Sequence, residues 1–251
     1  MQNPPYFPLF LRRSARIGGK KHRNGWPKET PGGWHEQKYI KDTRDGTKYT
    51  KRAMATKKEL RAQYKQLRRE LPSGTAAELS AAVCEAVVRS QEFRSAATVH
   101  LFLPIRRQGE VDTFPILEEI FRRGKTAVVS VSDFSTGELA HYRLRREDPV
   151  AENRFGIPEP LHPEALERVL PAAIDLILVP LLAYDAQGTR VGYGRGFYDR
   201  FLHCCRPDAV KAGLSFFPPC AGPIDDATPD DVPLDVCFTP QGKITCRRVE
   251  I

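Results

Sequence analysis

Three glycines at alternate positions, Gly192, Gly194 and Gly196, are interleaved with Tyr193 and Arg195, follow Arg190 and precede Phe197, Tyr198 and Asp199. Glycine lets backbone N–H groups approach an anion without a Cβ in the way, and a helix beginning directly afterwards offers unpaired N–H groups and the positive end of its dipole. Arg190 and Arg195 add full positive charge, which suits a phosphate. The spacing is GxGxG, neither GxxxxGK[ST] nor GxGxxG, so the glycines alone leave the ligand open. Asp199, in the first turn of that helix, has two readings: a carboxylate that complements the dipole, or a magnesium ligand beside bound phosphates.

The elements that must hold this loop are legible on either side of it. Leu176 to Leu182 is a nearly unbroken apolar run, short and aliphatic enough for a strand buried on both faces of a parallel sheet. Asp185, Gln187 and Gly188 break the chain, and a 3.6-residue apolar period through Phe197, Tyr198, Phe201 and Leu202 gives the helix.

Upstream, Thr56 and Glu59 are spaced as a capping box, so a helix starts near Lys57, buries Leu60, Tyr64, Leu67 and Leu71, and ends at Pro72. Lys57, Lys58 and Arg61 crowd its first turns, either as a solvated basic face or as the seat of an anion. Thr75 and Glu78 read as a second capping box before another amphipathic helix. A strand over Val99 to Leu103, a helix capped at Asp112 or Thr113 and a strand over Thr126 to Val131 make a βαβ unit. His100 alternates into that apolar strand as a core histidine, and Glu110 lies in the strand-to-helix loop where open α/β sheets bind ligands, reading on its own as a solvated loop acid. A hairpin is expected around Gly137, a rigid extended segment over Phe155 to Pro160, and strands over Ala212 to Phe216, Val236 to Thr239 and Lys243 to Val249. Strands alternating with helices predict a three-layer α/β/α domain with a mainly parallel sheet.

The run PLLAYDAQGTRVGYGRGFYDRFL resembles the signature of the 5-formyltetrahydrofolate cyclo-ligase (methenyltetrahydrofolate synthetase) family, with Asp, Arg, three glycines and a final Tyr-Asp at matching spacings. The resemblance spans about residues 56 to 240. It implies a fold similar to the sugar-phosphate isomerase and CoA-transferase group, and ATP- and Mg²⁺-dependent cyclisation of 5-formyltetrahydrofolate to 5,10-methenyltetrahydrofolate with release of ADP and phosphate. By the same resemblance Lys57, Arg61, Arg190, Gly192, Gly194, Arg195, Gly196, Phe197 and Tyr198 bind ATP. Leu103, Glu110 and Tyr193 bind the reduced folate, Asp199 and Asp235 hold the metal, and the IPEP segment lies near the folate pocket. Arg106 to Gly109 are extra residues before Glu110, and Phe216 to Pro223 depart from the polar pocket wall that the family pattern leads one to expect.

Bulk properties bound these expectations. At 251 residues and 41% hydrophobic the chain can bury a substantial core. It has no apolar run near the roughly 18 residues of a membrane span. Six cysteines without a CxxC pair read as reduced thiols in a cytoplasmic monomer. The net charge of +8 belongs to the front: residues 1–53 hold 13 Lys and Arg against 4 Asp and Glu, leaving 26 against 27 for the rest. That Pro- and Gly-rich segment is expected to be disordered. It reads as a nucleic-acid-binding tail, as a targeting presequence, or, the favoured expectation, as lying upstream of a true start at Met54; residues 54–251 are then a single catalytic domain. Two functions from other classes stay open on sequence alone: a phosphate-binding isomerase or transferase that uses no ATP, and a basic nucleic-acid-binding protein acting through residues 1–53.

Overall fold

Side chains on a strand alternate between its two faces, and here each face has its own apolar core. The computed structural model describes residues 55–72 and 74–246; the expected start at Met54, the segment before it and the end of the expected strand over 243–249 lie outside them. In chain order, helices α1 (Lys57–Arg69), α2 (Thr75–Arg89) and α3 (Gln91–Ser95) precede β1 (Thr98–His100), α4 (Phe114–Arg122), β2 (Thr126–Asp133) and β3 (Glu138–Leu144). A small ladder of β4 (Val150–Glu152) and β5 (Pro158–Pro160) follows, then β6 (Leu176–Pro180), the hairpin β7 (Ala183–Tyr184) and β8 (Arg190–Val191), α5 (Phe197–His203), β9 (Val210–Leu214), β10 (Val236–Thr239) and β11 (Gly242–Thr245).

The main sheet runs β11-β10-β9-β6-β1-β2-β3. The five inner strands are parallel, and each edge is closed by an antiparallel strand. Ala127, Val129, Leu176, Leu178, Val236 and Phe238 turn to one face, beneath Leu60, Val83, Val87, Ile116 and Ile120 of α1, α2 and α4. Their sequence neighbours Val128, Ile177, Val179 and Cys237 turn to the other, beneath Phe201 and Leu202 of α5. This is the expected three-layer arrangement, with one helical layer reduced to two turns. The described residues fall within one compact unit.

Several local expectations shift. Thr75 is the first residue of α2 and not its cap, because Gly74 occupies the cap position at φ +86° and no side chain caps the helix. The strand after Thr98 ends at His100, and Leu101 to Ile105 leave the sheet towards the mouth of a cavity. The buried stripe of α1 is Leu60, Tyr64 and Arg68, at intervals of four; Leu67 and Leu71 are only partly covered. The Thr56 box is present as expected, its hydroxyl accepting from the Glu59 amide and Glu59 accepting from the Thr56 amide at 2.9 Å.

Candidate active site

All five inner strands point their carboxyl ends the same way, and loops leaving those ends enclose a cavity of about 590 Å³. It is lined by Phe102 and Leu103 after β1, Ser130, Ser132 and Phe134 along and after β2, Pro180 at the end of β6, and the loop from Gly192 to Gly196. α1 supplies Lys57, Arg61 and Lys65, one per turn, while the neighbouring Lys58 points to solvent.

One end of the cavity is cationic. Arg61 reaches across to the glycine loop and donates to the Gly192 carbonyl at 2.9 Å. Gly194 has φ +91°, and a Cβ there would sit 3.3 Å from the Arg61 guanidinium. The positive φ calls for glycine at this position. Lys57 Nζ lies 2.5 and 2.7 Å from the two carboxylate oxygens of Asp231. Burial works most strongly against the charge of Asp231, but the bond and charge of Lys57 and the hydrogen bonds from Thr228 together outweigh it and hold that carboxyl below its usual range. Arg190, with a side chain only 4% exposed, donates to Asp199 at 2.7 Å and to the Val232 carbonyl; Asp199 also accepts from the Val232 amide at 3.3 Å.

The other end is an apolar slot with a polar base. Phe134 and Phe155 stack at 4.2 Å, Arg195 lies over the Phe134 ring, and Phe197 meets the same ring edge-on. Ile157 and Pro158 of the IPEP segment complete the wall. At the base, Glu110 accepts from the Tyr193 hydroxyl at 2.6 Å and from the Ile105 amide at 2.7 Å. Tyr193 in turn accepts from Arg68 at 3.1 Å, and Arg68 also donates to the carbonyls of Leu181 and Gln108. Burial pushes the Glu110 carboxyl up, against the hydrogen bonds from Tyr193 and Ile105 and the charge of Arg68. The extra residues at 106–109 form a single 3₁₀ turn, Arg106–Gln108, closed by Gly109 in the left-handed region, and bring Arg107 and Gln108 to the rim.

Of the residues singled out from sequence, Lys57, Arg61, Leu103, Glu110, Arg190, Gly192, Tyr193, Gly194, Arg195, Gly196, Phe197, Tyr198 and Asp199 line this one cavity. Asp235 does not. It precedes β10, at the amino end of the parallel strands and so at the opposite end from the glycine loop, and accepts from the Lys211 amide at 2.8 Å. Asp231, four residues earlier, is the carboxylate that reaches the cavity beside Asp199. The segment Phe216 to Pro223 is not a pocket wall either: Phe216 and Phe217 are buried in the core, and Tyr64 packs edge-on against Phe217. Sequence reasoning also passed over Arg68, whose position four residues after Tyr64 was the available signal. For Asp231, one of five aspartates in the loop before β10, nothing in the sequence distinguishes it from its neighbours.

Asp199 and Asp231 are oxygen donors adjacent to a cationic anion site, and magnesium is commonly held by one or two carboxylates together with substrate phosphates. The donor set therefore fits that metal, with Asp231 in place of Asp235.

Comparisons with known proteins give the family and the fold. The model of the 5-formyltetrahydrofolate cyclo-ligase family matches residues 53–217. The 5-formyltetrahydrofolate cyclo-ligase of Escherichia coli (strain K12) is 38% identical over 109 residues, which are 43% of this chain and 58% of that protein. The Mus musculus protein of the same name is 28% identical over 155 residues, 60% of this chain and 75% of that protein. An NMR structure of 5,10-methenyltetrahydrofolate synthetase from Aquifex aeolicus superimposes with a TM-score of 0.64 at 30% identity, covering 78% of this chain and 95% of that one.

Proposed function

The chain belongs to the 5-formyltetrahydrofolate cyclo-ligase family, and from that premise we propose that it uses ATP to close 5-formyltetrahydrofolate to 5,10-methenyltetrahydrofolate, releasing ADP and phosphate. The observation that carries this reading is the joining of two unlike ends in one cavity: a cationic cradle of Lys57, Arg61, Arg190 and the glycine loop, and an aromatic slot based on Glu110 and Tyr193.

The chemistry asks for such a pairing. A formyl oxygen is a poor leaving group until it is phosphorylated, so it must meet a γ-phosphate in line; N10 then attacks the activated carbon, and phosphate departs. Transfer of this kind depends on positioning and charge neutralisation more than on covalent help. In this reading Lys57 and Arg61 hold the phosphates against the amides of Gly194 and Gly196, and Arg190 keeps Asp199 turned into the cavity. Glu110 and Tyr193 orient the pterin, with Leu103 beneath it and Phe197 and Tyr198 between the two substrates. Asp199 and Asp231 would hold magnesium, which when bound neutralises developing charge on the phosphates.

Residues 54–251 are the catalytic domain, acting as a monomer in the cytoplasm, and residues 1–53 are dispensable for turnover. The test is direct. Residues 54–251 are incubated with MgCl₂, ATP and 5-formyltetrahydrofolate, following methenyl absorbance and ADP release together. Product formed in equal amounts without ATP would move the chain to the isomerase or transferase class, and no product at all would sink the reading.

A further inference from the structure

Beneath the cavity floor lies a polar group that the proposed chemistry does not use. His100 on β1 and His141 on β3 flank Ser130 on β2: His100 Nε2 is 2.8 Å from Ser130 Oγ, and Ser130 Oγ is 3.0 Å from His141 Nδ1. Both rings are buried and stack on Phe201, at 4.8 and 4.0 Å. Ser130 itself is only partly covered, because it lines the cavity.

Counting protons fixes what the hydroxyl can offer. A serine hydroxyl has one proton and two lone pairs, and a neutral imidazole has one donor and one acceptor nitrogen. His100 Nδ1 is buried without a partner, which favours the tautomer with its proton on Nε2, since an orphaned buried donor is the rarer fault. His100 then donates to Ser130, and Ser130 donates to His141. In the opposite tautomer pair the direction reverses, yet the serine proton is still held between the rings. Burial disfavours the charged form of both histidines, so both stay neutral. In either of these arrangements the valence left to Ser130 on its cavity side is a lone pair, whereas two donating histidines would take both lone pairs and turn the hydroxyl proton to the cavity; a lone pair facing the cavity therefore requires one accepting histidine.

We propose that Ser130 is a specificity-determining residue that accepts a hydrogen bond from an N–H on the pterin edge of the substrate, its own proton being sequestered by the two histidines. The inference rests on the proposed function for the identity of the heterocycle. It selects for a ring that presents a donor at this point and against one that presents an acceptor, because two facing lone pairs leave both groups unsatisfied.

The experiment measures KM and kcat for 5-formyltetrahydrofolate and for ATP in the full chain and in Ser130→Ala and Ser130→Thr, with thermal melts to check folding. In Ser130→Ala the folate KM is expected to rise roughly tenfold, from the range set by one lost hydrogen bond to a buried partner, with a much smaller change in kcat and none in the ATP KM. Ser130→Thr, which keeps the hydroxyl, should stay near wild type. An unchanged folate KM in the alanine variant, a rise confined to ATP, or a threonine variant as impaired as alanine would overturn the proposal. If the wild-type chain shows no ATP-dependent turnover, the functional reading fails on its own. Calorimetric binding of the reduced folate then tests Ser130: a tenfold loss in the alanine variant supports it, and no loss, or no binding by the wild type, overturns it.

Discussion

Arg190 and Asp199 show how closely charge at the site is tied to charge in the fold. Removing the carboxylate strands a guanidinium that is almost fully buried, and an uncompensated buried charge is far worse than a missing pair. Asp199→Ala should therefore lose activity and also stability, by about 1 to 3 kcal/mol after allowance for the partial exposure of Asp199. Asp199→Asn retains an acceptor for Arg190 and for the Val232 amide, so it should melt close to wild type while turnover still falls at least a hundredfold, roughly the scale of one lost electrostatic contact to the transferred group. Denaturant melts and the methenyl assay separate the two effects. The place of Lys57, Arg61 and the glycines on the cavity was legible because spacing fixes a helix face and a strand-to-loop junction, whereas Glu110 read alone is a solvated loop acid and only the family resemblance singled it out. The carboxylates were harder. Asp235 sits at a strand start, where acids commonly pair with a neighbouring strand's amide, and only the direction of β10 reveals that this is the wrong end of the sheet.

Two turns hold the glycine loop in place, and they differ in how they respond to substitution. In the β7–β8 hairpin, Gly188 has φ +91° and a Cβ would lie 2.4 Å from the Leu234 carbonyl oxygen, which is backbone and cannot swing away. Gly188→Ala is expected to destabilise the protein by more than about 2 kcal/mol, read as a shifted denaturant midpoint, since left-handed strain adds to the clash. At the start of α1, Thr56→Ala removes one side of a capping box and should cost about 1 kcal/mol in the same measurement. The contrast with Thr75 shows where sequence reading fails: the same Thr-x-x-Glu spacing was present, but Gly74 could reach the left-handed region and took the capping position. That the inner strands are buried on both faces was readable, because such strands are apolar throughout; their order in the sheet, set by tertiary packing, was not. The early end of β1 was not, since VHLFL remains apolar after it leaves the sheet to line a cavity.

At the scale of the whole molecule, the two histidines under the cavity tie stability to pH. In the unfolded chain an imidazole titrates near 6.5; in the fold burial, and then the charge of Arg168, holds His141 down to about 4. Between those values the unfolded state binds more protons, so stability is fully present above pH 6.5 and falls as pH drops towards 4, by something of order 3 kcal/mol for this group. His100 is lowered well below its ordinary value and acts in the same direction. Melts across this range should show the decline, and His141→Phe, which keeps an aromatic ring on Phe201, should make it shallower; an equal slope in that variant would place the effect elsewhere. α1 is the other feature with reach beyond its own neighbourhood. It docks on the hairpin and core through Leu60, Tyr64 and Arg68, while the adjacent face of its first turns sends Lys57 and Arg61 to the site. Whatever fills the phosphate cradle must also clamp that helix, so nucleotide should slow amide hydrogen exchange along residues 57–69 more than along the inner strands. The first helix would then serve as the protein's own occupancy gauge, readable without any turnover at all.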